Sequence, residues 1–278
     1  MDKMTLYFTN REIRDNHIRF YEKGHKYEIL TDLNSKYTSV TTWNKSHFPK
    51  FDADAVIANM MKGKNWNPDN KYWGQTPEQI KASWMSSGTS VADAGTNLHE
   101  QIEVFMNNSV LASGYTHIQL LNHYKSINDT VTRGPEWSYF LKFVEDHPDM
   151  KPYRTEWMIF DEDVKLAGSI DMVYENPDGT LSIYDWKRAK EITKDNNWKK
   201  YAINPIIGQI PDTNYWHYAL QLNTYRHILE TKYGKKVSNL CLVRIHPDNP
   251  EKTYELLPVP ILTKEMNDLF DEIKKKYV

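Results

Sequence analysis

The sequence predicts an α/β fold in which a small N-terminal β-hairpin and a helical subdomain precede an α/β C-terminal half. Three observations carry this. Side chains alternate with period 2 over residues 153–187, apolar residues recur at helical spacing between residues 51 and 147, and strand and helix signals interleave from residue 214 onward. Residues 1–50 read as short strands. Tyr27, Ile29 and Leu30 lie in one and Tyr37-Thr38-Ser39-Val40-Thr41-Thr42 in another, with the turn formers Asp32-Leu33-Asn34-Ser35 between them, which predicts an antiparallel hairpin. Residues 51–150 read as helical, through Phe51-Asp52-Ala53-Asp54-Ala55-Val56-Ile57-Ala58, then Thr76-Pro77-Glu78-Gln79 with proline in a first turn, then Trp137, Phe140, Leu141 and Val144. Within 151–278, Trp157, Ile159, Ile170, Met172, Ile183 and Tyr184 predict a three-strand meander whose second turn is Asn176-Pro177-Asp178-Gly179. A polar, lysine-rich stretch over 189–212 leads to a helix over 214–230, strands over 240–245 and 254–258, and a last amphipathic helix with Met266, Leu269, Phe270 and Ile273.

Composition sets the bounds. With 278 residues, 40% hydrophobic and 26% charged, the chain can bury a sizeable core. Lys and Arg number 35 against 37 Asp and Glu, a net charge of -2 that argues against a histone-like binder while leaving room for a locally basic groove. The lone Cys241 excludes an intramolecular disulfide, a four-cysteine zinc site and a four-cysteine iron-sulfur cluster from this chain, and a reducing intracellular compartment is the simplest expectation. No signal, transit or membrane segment is expected, because no apolar run approaches the ~18 residues that span a bilayer.

The chemistry concentrates in Gly168-Ser169-Ile170-Asp171 and Ile183-Tyr184-Asp185-Trp186-Lys187. Strand alternation sends Leu181, Ile183, Asp185 and Lys187 to one face and Ser182, Tyr184 and Trp186 to the other. An Asp on the face of Leu181 and Ile183 is desolvated unless a cation or hydrogen bonds compensate it. If the strands pair across the turn, Asp171 and Asp185 fall at similar distances from its centre. Two close carboxylates repel, and a hard divalent cation such as Mg²⁺ or Mn²⁺ resolves that repulsion. Lys187, one pleat on, is placed to orient a water or to stabilise charge on a phosphate oxygen. By itself an Asp-x-Lys on a strand is more often an exposed ion pair of small worth. On the helical side, Val91, Leu98, Ile102 and Phe105 form an apolar stripe, His99 and Glu103 share a face, and Gly95 one turn earlier permits close approach. Gln221 and Tyr225 share a helical face with Tyr218 one turn before.

The ordered set of His99, Glu156, Gly168-Ser169-Ile170-Asp171, Asp185-Trp186-Lys187 and Gln221-x-x-x-Tyr225 resembles the RecB-like branch of the PD-(D/E)XK nuclease superfamily. Ser39-Val40-Thr41-Thr42 ahead of a helical region further resembles the mitochondrial genome maintenance exonuclease family and its viral and phage relatives. The resemblance implies one nuclease domain over 1–278, with 1–50 and 51–150 as parts of it and 151–278 as the α/β catalytic core, built on a mixed β-sheet flanked by helices. It implies Asp171 and Asp185 as metal ligands, the Trp186 carbonyl and His99 as further ligands, Lys187 as the catalytic lysine, and Glu156 as the acidic residue such enzymes often carry on the preceding strand. Gln221 and Tyr225 are implied to position the nucleic-acid backbone or the site itself. The cofactor implied is Mg²⁺ or Mn²⁺. Some relatives add an iron-sulfur cluster, which one cysteine cannot supply. Enzymes of this kind serve DNA repair, recombination and replication.

The substrate implied is DNA, cut as an exonuclease from single-stranded ends, and a polyanion is attracted mainly by Lys and Arg. Residues 185–200 hold six Lys or Arg, among them Arg188 and Lys190, against three acids, whereas 161–178 hold one Lys against six acids. An acidic hairpin thus runs into a basic flank. Trp198 and Tyr201 are interleaved with that flank, and Trp66, Tyr72, Trp73 and Trp84 sit among lysines in the helical region, so one or two of these rings are expected to stack on bases while the rest are core. The long polar stretch 189–212 is expected to border the substrate channel. The competing readings are a nucleic-acid binder without turnover, a structure-specific endonuclease, and a metal-free two-carboxylate hydrolase.

Overall fold

The computed structural model describes residues 4–108, 114–127, 129–196 and 199–277. In chain order the elements are α1 (Thr5–Thr9), β1 (Ile18–Tyr21), β2 (Lys26–Ile29), β3 (Thr38–Ser39), α2 (Val40–Lys45), α3 (Ala53–Lys62), α4 (Pro77–Met106), α5 (His117–Ser126) and α6 (Glu136–Asp146). Then follow β4 (Lys151–Asp161), β5 (Leu166–Glu175), β6 (Leu181–Lys187), α7 (Asn214–Lys232), β7 (Val237–Arg244), β8 (Glu255–Pro258) and α8 (Thr263–Lys274). The fold is α/β, with a mixed sheet flanked by helices and a separate N-terminal antiparallel hairpin. Among the described residues no helix is long and apolar enough to cross a membrane.

The meander predicted over 153–187 is present as β4, β5 and β6, antiparallel throughout, and β6 continues parallel to β7, which pairs antiparallel with β8. One face of the sheet packs on α2, α7 and α8 through Val40, Ile183, Leu220, Leu242 and Phe270; the other packs on α4–α6 through Ile102, Phe140, Phe143 and Trp186. The alternation in β6 holds, with Leu181 and Ile183 in the first layer and Trp186 in the second.

The N-terminal hairpin exists, but its strands differ from those expected. β2 pairs with β1, in register Ile18↔Ile29, across a tight turn with Gly24 and His25 at φ 87° and 48°. The segment 37–42 instead contributes the two residues of β3, parallel to β5, and then turns helical because the Ser39 hydroxyl caps α2 by accepting from the Thr42 amide at 3.2 Å. A Ser followed by β-branched residues reads equally as strand or as helix cap, and the cap wins here.

α4 begins with the Thr76/Gln79 capping box and Pro77 at its first position. Its length of 30 residues corresponds to about 45 Å at about 1.5 Å per residue. Leu98, Ile102 and Phe105 are buried as expected, whereas Val91 is 53% exposed because the first half of α4 extends past the sheet.

Strand β5 positions the site. One edge is covered by β4. On the other edge β3 pairs with Leu166 and Ala167, and β6 pairs from Met172 to Glu175. Residues 168–171 fall in the fork between β3 and β6, where ladder hydrogen bonds stop and side chains from α4 and α7 enter.

Candidate active site

Gly168 opens the fork. A Cβ there would lie 2.7 Å from Tyr225 Cε1 and 3.2 Å from Val40 Cβ, so only glycine lets α7 come this close to β5. Tyr225 is buried, and its hydroxyl accepts from Gln221 Nε2 at 3.0 Å. The Tyr225 ring is 2% exposed and packs against Gly168, whereas Gln221 is half-buried.

Asp171 lies one residue beyond the last β5/β6 pair, Met172↔Tyr184, and its Oδ2 accepts from the Trp186 amide at 3.1 Å. Asp185 and Lys187 emerge on the same face of β6, with Nζ 2.6 Å from Asp185 Oδ2 and 4.5 Å from the centre of the Tyr218 ring. Both Asp185 carboxylate oxygens are buried and, among the described residues, no donor other than the Lys187 ammonium reaches them. That is an unusual state for a buried carboxylate.

His99 enters from α4. Its Nε2 lies 2.9 Å from the Trp186 carbonyl oxygen, which can only accept, so Nε2 carries a proton and Nδ1 faces the acids. Nδ1 is 3.6 Å from Asp171 Oδ2 and 3.8 Å from Glu156 Oε1. Glu156 sits inside β4 with φ 42°, a left-handed conformation that costs a non-glycine residue about 1–3 kcal/mol and that turns its carboxylate to the cluster, where Ser169 Oγ donates to Oε2 at 3.2 Å. Strain of this kind inside a strand gathers at functional sites. Side-chain exposure falls from 37% at Glu156 through 27% at His99, 17% at Lys187 and 12% at Asp171 to 2% at Asp185, a gradient from solvent to a buried acid.

The charges are strongly coupled. Burial pushes the Asp185 carboxyl up to about 7, with Asp171 adding and Lys187 opposing. Burial also raises Asp171, against the pull of His99. At His99 burial acts downward, but Asp171 and Glu156 outweigh it and hold the imidazole at about 9. Lys187 is raised because Asp185 and Asp171 outweigh its burial. Ligand atoms of His99, Glu156 and Asp171 all lie within 4.8 Å of one another, and a mixed nitrogen and carboxylate set of that size fits one divalent cation in place of the His99 proton. Asp185, paired with Lys187 and coupled to Asp171, completes an acidic wall. The Trp186 carbonyl reaches this group through His99.

The basic residues proved less alike than their shared charge suggested. Arg188 donates through Nε to the buried Glu136 at 2.8 Å, so its guanidinium is engaged in holding β6 to α6. Lys190 is exposed, with Asp248 3.9 Å away. Trp198 lies outside the described residues. The stretch 189–212 borders the site at Ala189, but it is tied to α7 by Thr193 N to Asn214 Oδ1 and Trp216 Nε1 to the Lys194 carbonyl. Among the helical aromatics Trp73 is 46% exposed, while Trp84 donates to the Tyr72 hydroxyl at 2.8 Å. Sequence reasoning did not assign Tyr27, whose hydroxyl is pushed up to about 12 by burial and by the charges of Glu156 and Asp171. Ser169 was visible only as part of its motif.

His99, Lys187, Arg188 and Tyr218 line an open basin of about 280 Å³. It is large enough for a phosphodiester and its neighbours, and two of its lining residues, His99 and Lys187, contact the acids behind it. A search of curated proteins returns no match. A family model of the PD-(D/E)XK nuclease superfamily matches residues 83–277, more than two thirds of the chain and a span that contains every residue of the cluster. On that match, and with an acidic fork and a lysine in the places described, the chain belongs to the PD-(D/E)XK nuclease superfamily.

Proposed function

We propose that this protein is a Mg²⁺- or Mn²⁺-dependent deoxyribonuclease of the RecB-like kind that removes nucleotides from single-stranded DNA ends. The observation that carries the hydrolytic part is the buried Asp185, whose charge is coupled to that of Asp171 and whose oxygens have, among the described residues, no donor beyond the Lys187 ammonium that lines the open basin. Burying two coupled carboxylates, Asp171 and Asp185, costs stability, and a divalent cation is a compensation that their surroundings fit. The preference for DNA and for single-stranded ends rests on the family resemblance.

In this reading Asp171, Asp185, Glu156 and the Nδ1 of His99 hold a divalent cation, with the Trp186 carbonyl adjacent. When bound, the cation supplies Lewis acidity toward a phosphate oxygen and lowers the pKa of a water. The chain's own residues do the rest. Lys187 stays protonated and places its Nζ to stabilise charge growing on the phosphate, while Tyr218 holds the ammonium through its ring face. Trp186 locks β6 through edge contacts with Phe140 and Phe143 at 5.7 and 5.4 Å, so that the acids on the opposite face keep their spacing. Gln221 and Tyr225 brace Gly168 from behind.

The test is cleavage of end-labelled single-stranded, duplex and closed circular DNA with Mg²⁺ or Mn²⁺, with EDTA and Lys187→Ala as controls. Cleavage of linear single strands that EDTA and the substitution both abolish is expected. Activity that survives either one contradicts the mechanism, and cutting of circles refutes the end-directed part alone.

A further inference from the structure

We propose that a second, more enclosed pocket on the far side of Glu156 receives the terminal base of the strand and that its closed end sets where the chain cuts; the inference rests on the nuclease reading above. Ala92, Thr96, His99 and Glu103 recur at three- and four-residue spacing on one face of α4, a run of about 16 Å at about 1.5 Å per residue. The first three line the open basin, and Glu103 lines the second pocket. The two spaces meet at the acid cluster, because His99 belongs to the first and Glu156 to the second, with their ligand atoms 3.8 Å apart. They form one groove with the candidate metal centre at its middle.

The two ends differ. The basin is open and carries Lys187, whereas the second pocket measures about 110 Å³ and is walled largely by Tyr7, Ile18 and Met158. That is room for roughly four waters at about 30 Å³ each, the size of one ring system and too small for a continuing strand. Its charge excludes phosphate. Glu103 and Glu156 are acidic, and the guanidinium of Arg154 is already paired with Asp15 at 2.8 Å. An uncharged base fits where a phosphate does not.

The closure is built. Asn107, buried at the end of α4, accepts through Oδ1 from the Leu6 amide at 3.0 Å, takes the Thr5 hydroxyl on its carbonyl at 3.2 Å, and donates through Nδ2 to Thr155 Oγ1 at 2.7 Å. Asn107 thus fastens α1 to both α4 and β4, and holds in place the Tyr7 of α1 and the Thr155 of β4 that line the pocket. Tyr7 and Ile18 lie outside the span matched by the superfamily, so this end-stop is a feature of the chain's own N-terminal segment.

The experiment compares wild type, Tyr7→Ala and Met158→Phe, as full chains, on linear single strands with an intact or an abasic terminal nucleotide, reading product length and KM. Uniform short products from wild type are expected. An abasic end and Tyr7→Ala should each raise KM about tenfold with kcat held, without further loss when combined, and Tyr7→Ala should lengthen the products. Met158→Phe, which fills the pocket, should raise KM for intact ends only. Equal KM for intact and abasic ends in wild type, or products of mixed length, overturns the proposal. Binding of deoxynucleoside monophosphates to the metal-free protein, followed through the Met158 methyl by NMR, decides the pocket independently of turnover. A shift in wild type that Tyr7→Ala abolishes supports it, and no shift refutes it. Absence of any cleavage with either metal would instead refute the nuclease reading.

Discussion

Two buried ion pairs, on strands that each pair with β5, show opposite designs. On β4, Arg154 donates to Asp15 Oδ2 at 2.8 Å and to the Asn10 carbonyl at 3.0 Å, and Asp15 also accepts from Trp157 Nε1 at 2.9 Å and from the Glu12 amide at 2.9 Å. Both oxygens of that carboxylate are satisfied, and the pair stitches the N-terminal segment to the sheet. On β6, Lys187 lies as close to Asp185, at 2.6 Å, yet among the described residues Asp185 has no donor beyond that ammonium, and burial pushes the carboxyl up to about 7. Burial and proximity are common to the two. What separates a structural pair from a candidate catalytic one is the unfilled hydrogen-bonding capacity that the second leaves for a ligand.

The sharpest way to break the contrast is to delete each cation. Lys187→Ala is expected to lower DNA cleavage about 10³-fold while circular dichroism and thermal unfolding stay native-like. Arg154→Ala should instead cost about 3–5 kcal/mol of stability in denaturant unfolding, because it strands the Asp15 carboxylate. Equal loss of stability in both would erase the distinction. A smaller effect is expected at Asp185. An acid whose folded pKa is raised to about 7 from an ordinary 3.8 weakens the fold as pH climbs between those values, since the unfolded state releases its proton first. Metal-free Asp185→Asn should therefore be more stable than wild type above pH 7, on the order of 2 kcal/mol, with the gain vanishing toward pH 4. An Asp15→Asn variant should show the opposite sign, a loss of stability at neutral pH. The smallest effect is expected at Lys190, exposed and only loosely paired. Lys190→Ala should change KM about twofold and reduce the salt dependence of binding by about one phosphate contact.

The same contrast explains what could be read from the sequence. The β4–β6 meander, α7 and the Asp171/Asp185/Lys187 array were legible because period 2, the Asn-Pro-Asp-Gly turn and helical spacing are local signals. Among partners distant in sequence, His99 and Glu156 were reached only through the family resemblance, and the others were not reached. Glu156 owes its place to a left-handed backbone inside β4, and nothing in Arg-Thr-Glu-Trp announces that strain. Arg188 reads as a free cation until α6 brings Glu136 to it. β1 was overlooked because Ile18-Arg19-Phe20-Tyr21 is short, and the β-branched run after Ser39 resembled a strand although its serine acts as a helix cap. The pocket closed by α1 has no sequence signature, since Asn107 becomes informative only once Leu6 and Thr155 are seen to share it.

Calorimetric titration of Mn²⁺ into wild type, Asp171→Asn and Lys187→Ala, read beside cleavage by the same proteins, tests the central claim most directly. Wild type is expected to bind one or more ions and cut, Asp171→Asn to bind at least about tenfold more weakly, and Lys187→Ala to bind like wild type without cutting. Unchanged binding by Asp171→Asn, or cleavage by Lys187→Ala at the wild-type rate, would contradict the assignment of the fork between β3 and β6 as the catalytic centre.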